Sequence, residues 1–369
     1  MRLINLLKKY FRNIALIINI ICAILLVFSY LAPFTNPIQF TGFAFLGLIY
    51  SFLLIVNIFY ILFWIFLKSK LFLVSTVSIL IGWNFLTNFI QISFSDSENK
   101  SGHQRIHLLS YNVRDFNLWK WSSEQNRGIQ TFDYIRKNRA NIVCLQEFYS
   151  SNIKGKNAKD SLLQNSILKY AHISYTVKNK KTSNYGIATF SSFPIIAEGS
   201  VKIKENDNFC IYSDILIGAD TIRFYNLHLE SIHLGYDDYQ LIENINSTDT
   251  IDVTGIKSIL LKLKKSYQKR ALQSITIASH LKKCKYAIIL CGDFNDTPIS
   301  FVYNQLTLKL LDSFCETGNG IGSTYINKYS TFRIDYILHS PELKVFNFST
   351  PHVELSDHYP VQCQIQVYM

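Results

Sequence analysis

The sequence predicts an α/β domain of two packed sheets with helices outside, preceded by about three transmembrane α-helices. Three observations carry that expectation. Composition changes abruptly near residue 95; an uncharged run of 55 residues, 13–67, lies before the change; short β-like runs separated by polar turns lie after it. The 369 residues exceed what one compact domain usually needs, so two units are expected, an anchor over 1–95 and a soluble domain over 96–369. An apolar content of 49% excludes a disordered chain, and 7 Pro with 15 Gly exclude a collagen-like one.

Charge sharpens the boundary. Six of the 37 Lys and Arg (Arg2, Lys8, Lys9, Arg12, Lys68, Lys70) precede residue 96, with no acidic residue among them. That leaves 31 basic against 26 acidic residues, a net +5 where the whole chain has +11. A basic balance that suggests nucleic acid is therefore largely a membrane-topology signal. One crossing needs about 20 apolar residues, so 13–67 is long enough for two, at about 14–31 and 42–67. Pro33 and Pro37 make the turn between them. A third uncharged run, 71–95, is richer in Ser, Thr and Asn. No small-residue cleavage site precedes the second apolar stretch, which argues against a cleaved signal peptide. Four basic residues precede the first span, two follow the second, and none lies between. The positive-inside rule then puts the N-terminus in the cytoplasm and residues 96–369 on the non-cytoplasmic side of an integral membrane protein. The spans carry no charge, so they read as an anchor rather than an ion path.

After residue 95, runs rich in Ile, Val, Leu, Tyr and Phe predict strands at 107–113, 141–146, 172–177, 185–190, 209–217, 221–229, 286–291, 333–338 and 360–367. Helical periodicity marks 125–137, 161–169 and 256–282. Many strands with few intervening helices favour two packed sheets over one doubly wound sheet. The stretch 231–255 is long, polar and aperiodic, as a functional loop often is. Six cysteines (144, 210, 284, 291, 315, 363) show no CxxC spacing, so neither zinc nor a disulfide framework is indicated.

Several strand ends finish in groups able to bind a hard cation or handle protons. They are Asn112, Gln146-Glu147, the run Asn226 to Ser231 with His228, Gly292-Asp293-Phe294-Asn295, Arg333-Ile334-Asp335 and Ser356-Asp357-His358. Oxygen ligands such as Asn112, Glu147 and Asp357 suit Mg²⁺ or Mn²⁺. Singly each is weak, since an Asp after a strand is more often a turn or a helix cap. The remaining histidines (103, 107, 172, 233, 280, 339, 352) read as packed or surface residues.

The order of these motifs resembles the endonuclease/exonuclease/phosphatase superfamily: Asn, LQE, HLxS, GDFN, RIDYI and SDH, over about 105–369. The resemblance implies a four-layer α-β-β-α sandwich, DNase I-like, and a divalent-metal phosphoesterase, most simply a phosphodiesterase acting on nucleic acid or lipid by in-line attack of water. It implies Glu147 as the main ligand of Mg²⁺ or Mn²⁺, with Asn112 and Asp357 completing the shell directly or through water. Asp293 resembles the residue that deprotonates the attacking water, Asn295 a donor to a phosphoryl oxygen, and Asp335 the carboxylate that holds His358 on the scissile phosphate. His228 resembles the second histidine, on the leaving-group side. One departure stands out: Arg114 lies where some nucleases carry Asp, with Asp115 one further on. Thr324-Tyr325 sits where relatives often have Thr-Trp or Thr-Tyr before RIDYI, and the resemblance implies that it shapes the cleft.

The substrate is less legible. Lys262, Lys264, Lys265, Lys269 and Arg270 are the best candidates for a nucleic-acid track, but at helical spacing they read better as a solvated helix face. Anchoring places the cleft near a bilayer and favours lipid phosphodiesters or extracytoplasmic phosphate esters, but it equally serves to retain a nuclease at the cell surface, so nuclease and lipid hydrolase both stay open. A catalytically silent membrane-anchored binding protein on the same scaffold is the alternative, and retention of all eight polar groups argues against it.

Overall fold

The computed structural model describes residues 2–93, 104–117, 127–151, 157–164, 166–178, 183–203, 209–244, 252–326 and 331–367. The N-terminal segment folds as α1 (Arg2–Ser29), α2 (Gly42–Leu48), α3 (Tyr50–Phe66), α4 (Phe72–Ile81) and α5 (Trp83–Leu86). Expectation and structure part here. By length and composition only α1 is able to cross a membrane as one helix. The second expected span is broken between α2 and α3 by a 62° bend. The third shrinks to α4, ten residues long, or about 15 Å of helix against a hydrocarbon core of about 30 Å. About three independent spans is therefore corrected to one, with α3 and α4 packed beside it.

The small bundle buries a polar network among apolar side chains such as Leu26, Leu53 and Trp64, and its exterior is apolar. Asn19, Asn57 and Ser75 have no exposed surface. Asn19 Nδ2 donates to Ser75 Oγ (2.6 Å), Ser75 Oγ to Asn57 Oδ1 (2.8 Å), and Trp64 Nε1 to Asn19 Oδ1 (2.9 Å). Ile17, Ile24, Phe52, Ile55, Phe59, Leu62 and Val77 face outward, exposed. A bundle in water shows the opposite arrangement; hydrogen bonds between helices with an apolar exterior are what lipid favours.

The second unit contains fourteen strands among the described residues. In chain order they are β1 (Gln104–Asn112), β2 (Ile142–Ser151), β3 (Tyr170–Lys178), β4 (Ser183–Ser191), β5 (Ile195–Ser200), β6 (Cys210–Ile217) and β7 (Asp220–His228). There follow β8 (Ala287–Asp293), β9 (Leu311–Asp312), β10 (Tyr325–Ile326), β11 (Thr331–Phe332), β12 (Asp335–His339), β13 (Lys344–Ser349) and β14 (Val361–Val367). One sheet has the order β13-β14-β1-β2-β4-β3, the other β5-β6-β7-β8-β12-β9, and β10-β11 form a ribbon. Both large sheets are mixed: β1–β2 and β7–β8 are parallel, their other pairs antiparallel.

Alternation along each strand sorts side chains into two cores. Ile106 and Leu108 of β1, Phe224 of β7, Ile289 and Cys291 of β8, Ile337 of β12 and Val361 of β14 meet between the sheets. Leu109, Tyr111 and Val143 turn outward onto α6 (Arg127–Asn138) and α7 (Ala158–Leu163). Tyr225, Leu290, Tyr336 and Leu338 turn outward onto the later helices. These are α9 (Val253–Leu281), which follows the short α8 (Tyr236–Asn244), and α10 (Phe301–Thr307), with α11 (Ser313–Thr317) beyond. The layers are helix, sheet, sheet, helix, as the resemblance implied.

The nine expected strands all form, while β5, β13 and the two-residue β9, β10 and β11 were missed. Helix 161–169 sits earlier, at 158–163, because Asn157 caps it with bonds to the amides of Lys159 and Asp160. Of the aperiodic stretch 231–255, part forms α8 and the start of α9, while 245–251 lies outside the described residues, as does His103. All seven cysteines are free.

The two units touch closely. Asn304 Nδ2 donates to Pro33 O (3.0 Å), Arg333 Nη2 donates to Asn88 O (2.7 Å), and the Phe45 ring lies 5.7 Å from that of Tyr267. A methyl group on Gly47 would stand 2.9 Å from Ile299 O, so α2 lies directly on the chain entering α10.

Candidate active site

Strand parity builds the site. Asn112, His228, Asp293 and Asp335 lie on the same parity as the residues between the sheets, at one end of their strands. In register, His228 stands beside Asp293 and Asp293 beside Asp335, so three adjacent strands deliver three functional groups in a row. Asn112 closes the gap from the other sheet: its Nδ2 donates to Asp293 Oδ2 (3.0 Å) and Glu147 Oε1 (3.2 Å). The Arg114 amide donates to Asn112 Oδ1 (3.1 Å), which fixes the orientation of that side-chain amide.

Glu147 has the wrong parity. Plain alternation would turn it outward, toward α6 and α7. The β2–β4 register slips between Leu145 and Phe148, Glu147 takes φ 49°, and its carboxylate lines the cleft instead. Such bulges re-aim side chains beside sites. Gly292, immediately before Asp293, has φ 134°, and a Cβ there would lie 2.0 Å from Leu227 O. Only glycine lets β8 approach β7 closely enough to bring Asp293 level with His228.

His358 Nδ1 and Asp335 Oδ2 are 2.8 Å apart, and His358 Nε2 is 3.7 Å from Asp293 Oδ2. Burial disfavours charge on this imidazole, but Asp335 and Asp293 outweigh it and push the group up to about 10. Burial, then Asp335, push the Asp293 carboxyl up against the pull of His358 and His228. The amide of Asn295 donates to Asp293 Oδ1 (2.8 Å), and Asn295 Nδ2 to Leu229 O (3.0 Å). His228 Nε2 is buried without a hydrogen-bond partner, 3.6 Å from both Glu147 Oε1 and Asp293 Oδ2. Asp357 Oδ2 lies 3.3 Å from Arg114 Nε. All eight expected residues thus converge on one cleft.

Asp293, Asp335 and His358 form a buried group whose ligand atoms all lie within 4.8 Å of one another, close enough to hold an ion. Glu147, Asp357 and Asn112 carry hard oxygen atoms of the kind that suit Mg²⁺ or Mn²⁺. Glu147 turns its carboxylate into the cleft against backbone preference, and the unpartnered His228 Nε2 points at the same space.

Several contributors were not legible as functional. Three consecutive positive φ values at Arg114, Asp115 and Phe116 turn Asp115 toward the site, where burial and then Glu147 push its carboxyl up to about 7. Gln146 Nε2 donates to Asn226 Oδ1 (2.7 Å) and Asn226 Nδ2 to Ala188 O (2.9 Å), clamping the sheets beneath the site. Both residues sit in the quoted motifs, but nothing local announces a pairing across sheets. Thr324 Oγ1 accepts from the amide of Asp335 (3.1 Å), and Tyr325 lines the cleft. His233, read as bland, also lines it. The basic stripe is largely neutralised: Lys262 Nζ bonds Asp238, Lys269 Nζ bonds Glu230, and Arg270, 1% exposed, bonds Asp296.

The endonuclease/exonuclease/phosphatase family model matches residues 109–358. The chain belongs to that family. A domain of unknown function matches residues 12–89. Among solved structures, an endonuclease/exonuclease/phosphatase family protein of Leptotrichia buccalis is 19% identical, with 71% of this chain and all of that one covered and a TM-score of 0.48. An endonuclease/exonuclease/phosphatase of Beutenbergia cavernae is 13% identical, with 72% of each chain covered and a TM-score of 0.50. These likenesses concern fold. A curated relative, Reticulocyte-binding protein 1 of Plasmodium vivax, is 28% identical over 178 residues, 41% of this chain, and the chain spans only 6% of its length.

Proposed function

We propose that this protein is a divalent-metal-dependent phosphoesterase, most simply a phosphodiesterase, held at a membrane by its N-terminal helices. The observation that carries the reading is the row His228–Asp293–Asp335 with His358 bonded to Asp335 and Glu147 facing it across the cleft. A phosphodiester is anionic and repels an incoming nucleophile, so hydrolysis needs neutralised charge and an aligned water. Glu147 would hold Mg²⁺ or Mn²⁺, with Asn112 and Asp357 completing its shell directly or through water. When bound, that cation supplies charge neutralisation at a phosphoryl oxygen.

The chain's own groups do the rest. Asn112 and the Asn295 amide each hold one oxygen of Asp293, fixing the carboxylate that accepts the water's proton. The water oxygen bonds to phosphorus as the P–O bond to the leaving group breaks. Charged His358, held by Asp335, and the free N–H of Asn295 meet the phosphoryl oxygens. His228 Nε2 faces the leaving oxygen, which takes up a proton from solvent. In the full chain, in detergent, Asp293→Asn and His358→Ala are each expected to lower metal-dependent hydrolysis of bis(p-nitrophenyl) phosphate at least about 10²-fold. Their circular dichroism should be unchanged. Near-normal turnover by either variant refutes the assignment.

The non-cytoplasmic location rests on two facts. Lys8 and Arg12 line one cleft with Phe63, Leu67 and Ser69, so the basic residues gather at one end of the bundle. The domain docks at the other end, on Pro33 and Asn88. One crossing by α1, basic end inward, suffices to leave the domain outside.

A further inference from the structure

The phosphoester cleft does not end at its polar floor. It continues into a cavity of about 540 Å³, within the range of sites that enclose small molecules. Glu147, Asp293, Asn295 and His358 form one side. Apolar side chains also line the cavity: Ile259, Leu263 and Tyr267 on one stripe of α9, Ile232 and Leu234 after β7, and Leu48 at the end of α2. Leu48 belongs to the uncharged N-terminal run, so the anchor supplies part of the pocket wall. Its position is firm, because Gly47 lies against Ile299 O and Phe45 against the Tyr267 ring.

Resting on the phosphoesterase reading, we propose that the substrate is a membrane-borne phosphate ester with an apolar chain. Its phosphoryl group sits on the polar floor and its chain lies between α2 and α9. Continuity of the two surfaces in one cavity favours a ligand that is anionic at one end and apolar at the other. A polynucleotide would need free cations along its backbone. The cation among the described lining residues, Arg270, is tied to Asp296 and Glu230 O, and its neighbours Lys262 and Lys269 are each paired with a carboxylate. The apolar exterior of the bundle that carries Leu48 brings this wall to the bilayer, from which such a chain would enter.

The test uses the full chain in lipid nanodiscs and one ester chemistry, alkyl p-nitrophenyl phosphates with methyl, butyl and octyl chains. Each methylene buried is worth a factor of about four, so kcat/KM is expected to rise at least about 100-fold from methyl to octyl. Leu48→Trp and Ile259→Trp, both still apolar, fill the space from opposite sides and should collapse the octyl-to-methyl ratio toward one. Calorimetric binding of methyl and octyl methylphosphonates, which are not hydrolysed, runs in parallel. A flat chain-length profile, a ratio unmoved by both variants, or faster cleavage of an oligonucleotide than of the octyl ester overturns the proposal. If no ester is cleaved, the phosphoesterase reading falls; octyl binding that is tighter and lost in Leu48→Trp then still upholds the apolar subsite, and equal binding removes it.

Discussion

Glu147 is one of several non-glycine residues in the site with positive φ, at 49°, a conformation that costs on the order of 1–3 kcal/mol. The conformation persists because β2 pairs normally on both sides of the bulge. If its carboxylate holds the cation, Glu147→Gln should raise the Mg²⁺ concentration for half-maximal activity at least about tenfold, since a neutral amide is a poorer ligand. A metal titration of the variant with unchanged midpoint would remove Glu147 from that role. His172 bears on stability instead. It is buried beside Ser213 Oγ, 3.0 Å from Nδ1, and burial holds its imidazole below the ordinary range, partly offset by Glu198. Its folded pKa is lowered, so the native state binds fewer protons: the stabilisation is complete above about pH 6.5 and is lost as pH falls through the folded value. His172→Gln should flatten the pH dependence of the melting temperature between about pH 5 and 7, and an unchanged slope would exclude His172 as its source. The charged termini of strands were readable as chemistry because hard oxygen donors have few other reasons to gather. Asp115 was not, because its approach depends on a three-residue left-handed turn that no composition rule signals.

Strands were legible where both faces are buried and missed where they are not. β5 is exposed along 196–198, β13 pairs along only one edge, with β14, and neither shows a continuous apolar run. Gly292 illustrates what an element contributes to a site. Gly292→Ala would push a methyl group into Leu227 O on the neighbouring strand and strain φ together. It is expected to destabilise the protein by about 2 kcal/mol or more, read as a lowered melting temperature, and to reduce activity further by displacing Asp293. A variant with wild-type stability would show that the strands separate without cost. On α9 the lysines at helical spacing looked solvated, and Lys262 and Lys269 proved paired, because α8 and the chain after β7 bring Asp238 and Glu230 beneath them.

The two units form one object. Arg333, inside the RIDYI motif and only two residues from Asp335, is buried, bonded to Asp312 at 2.6 Å, and donates to Asn88 O on the N-terminal segment. The chain entering the strand that carries Asp335 is thus tied to the N-terminal segment directly. Because docking occurs at the end of α1 remote from its basic residues, a periplasm-active phosphatase reporter fused after residue 369 should be active and a cytoplasm-only fluorescent reporter dark. The reverse pattern would invert the proposed topology.

Local rules were enough to read two packed sheets with helices outside and the polar ends of their strands, since a two-residue alternation and a short polar motif are properties of neighbouring residues. Folding in three dimensions settled the rest: that one apolar run became a single long helix while the others bent or shortened, that Glu147 faces inward, and that Leu48 shares a cavity with Ile259 and His358. Those outcomes depend on packing between segments far apart along the chain, and no periodicity within either segment encodes its partner.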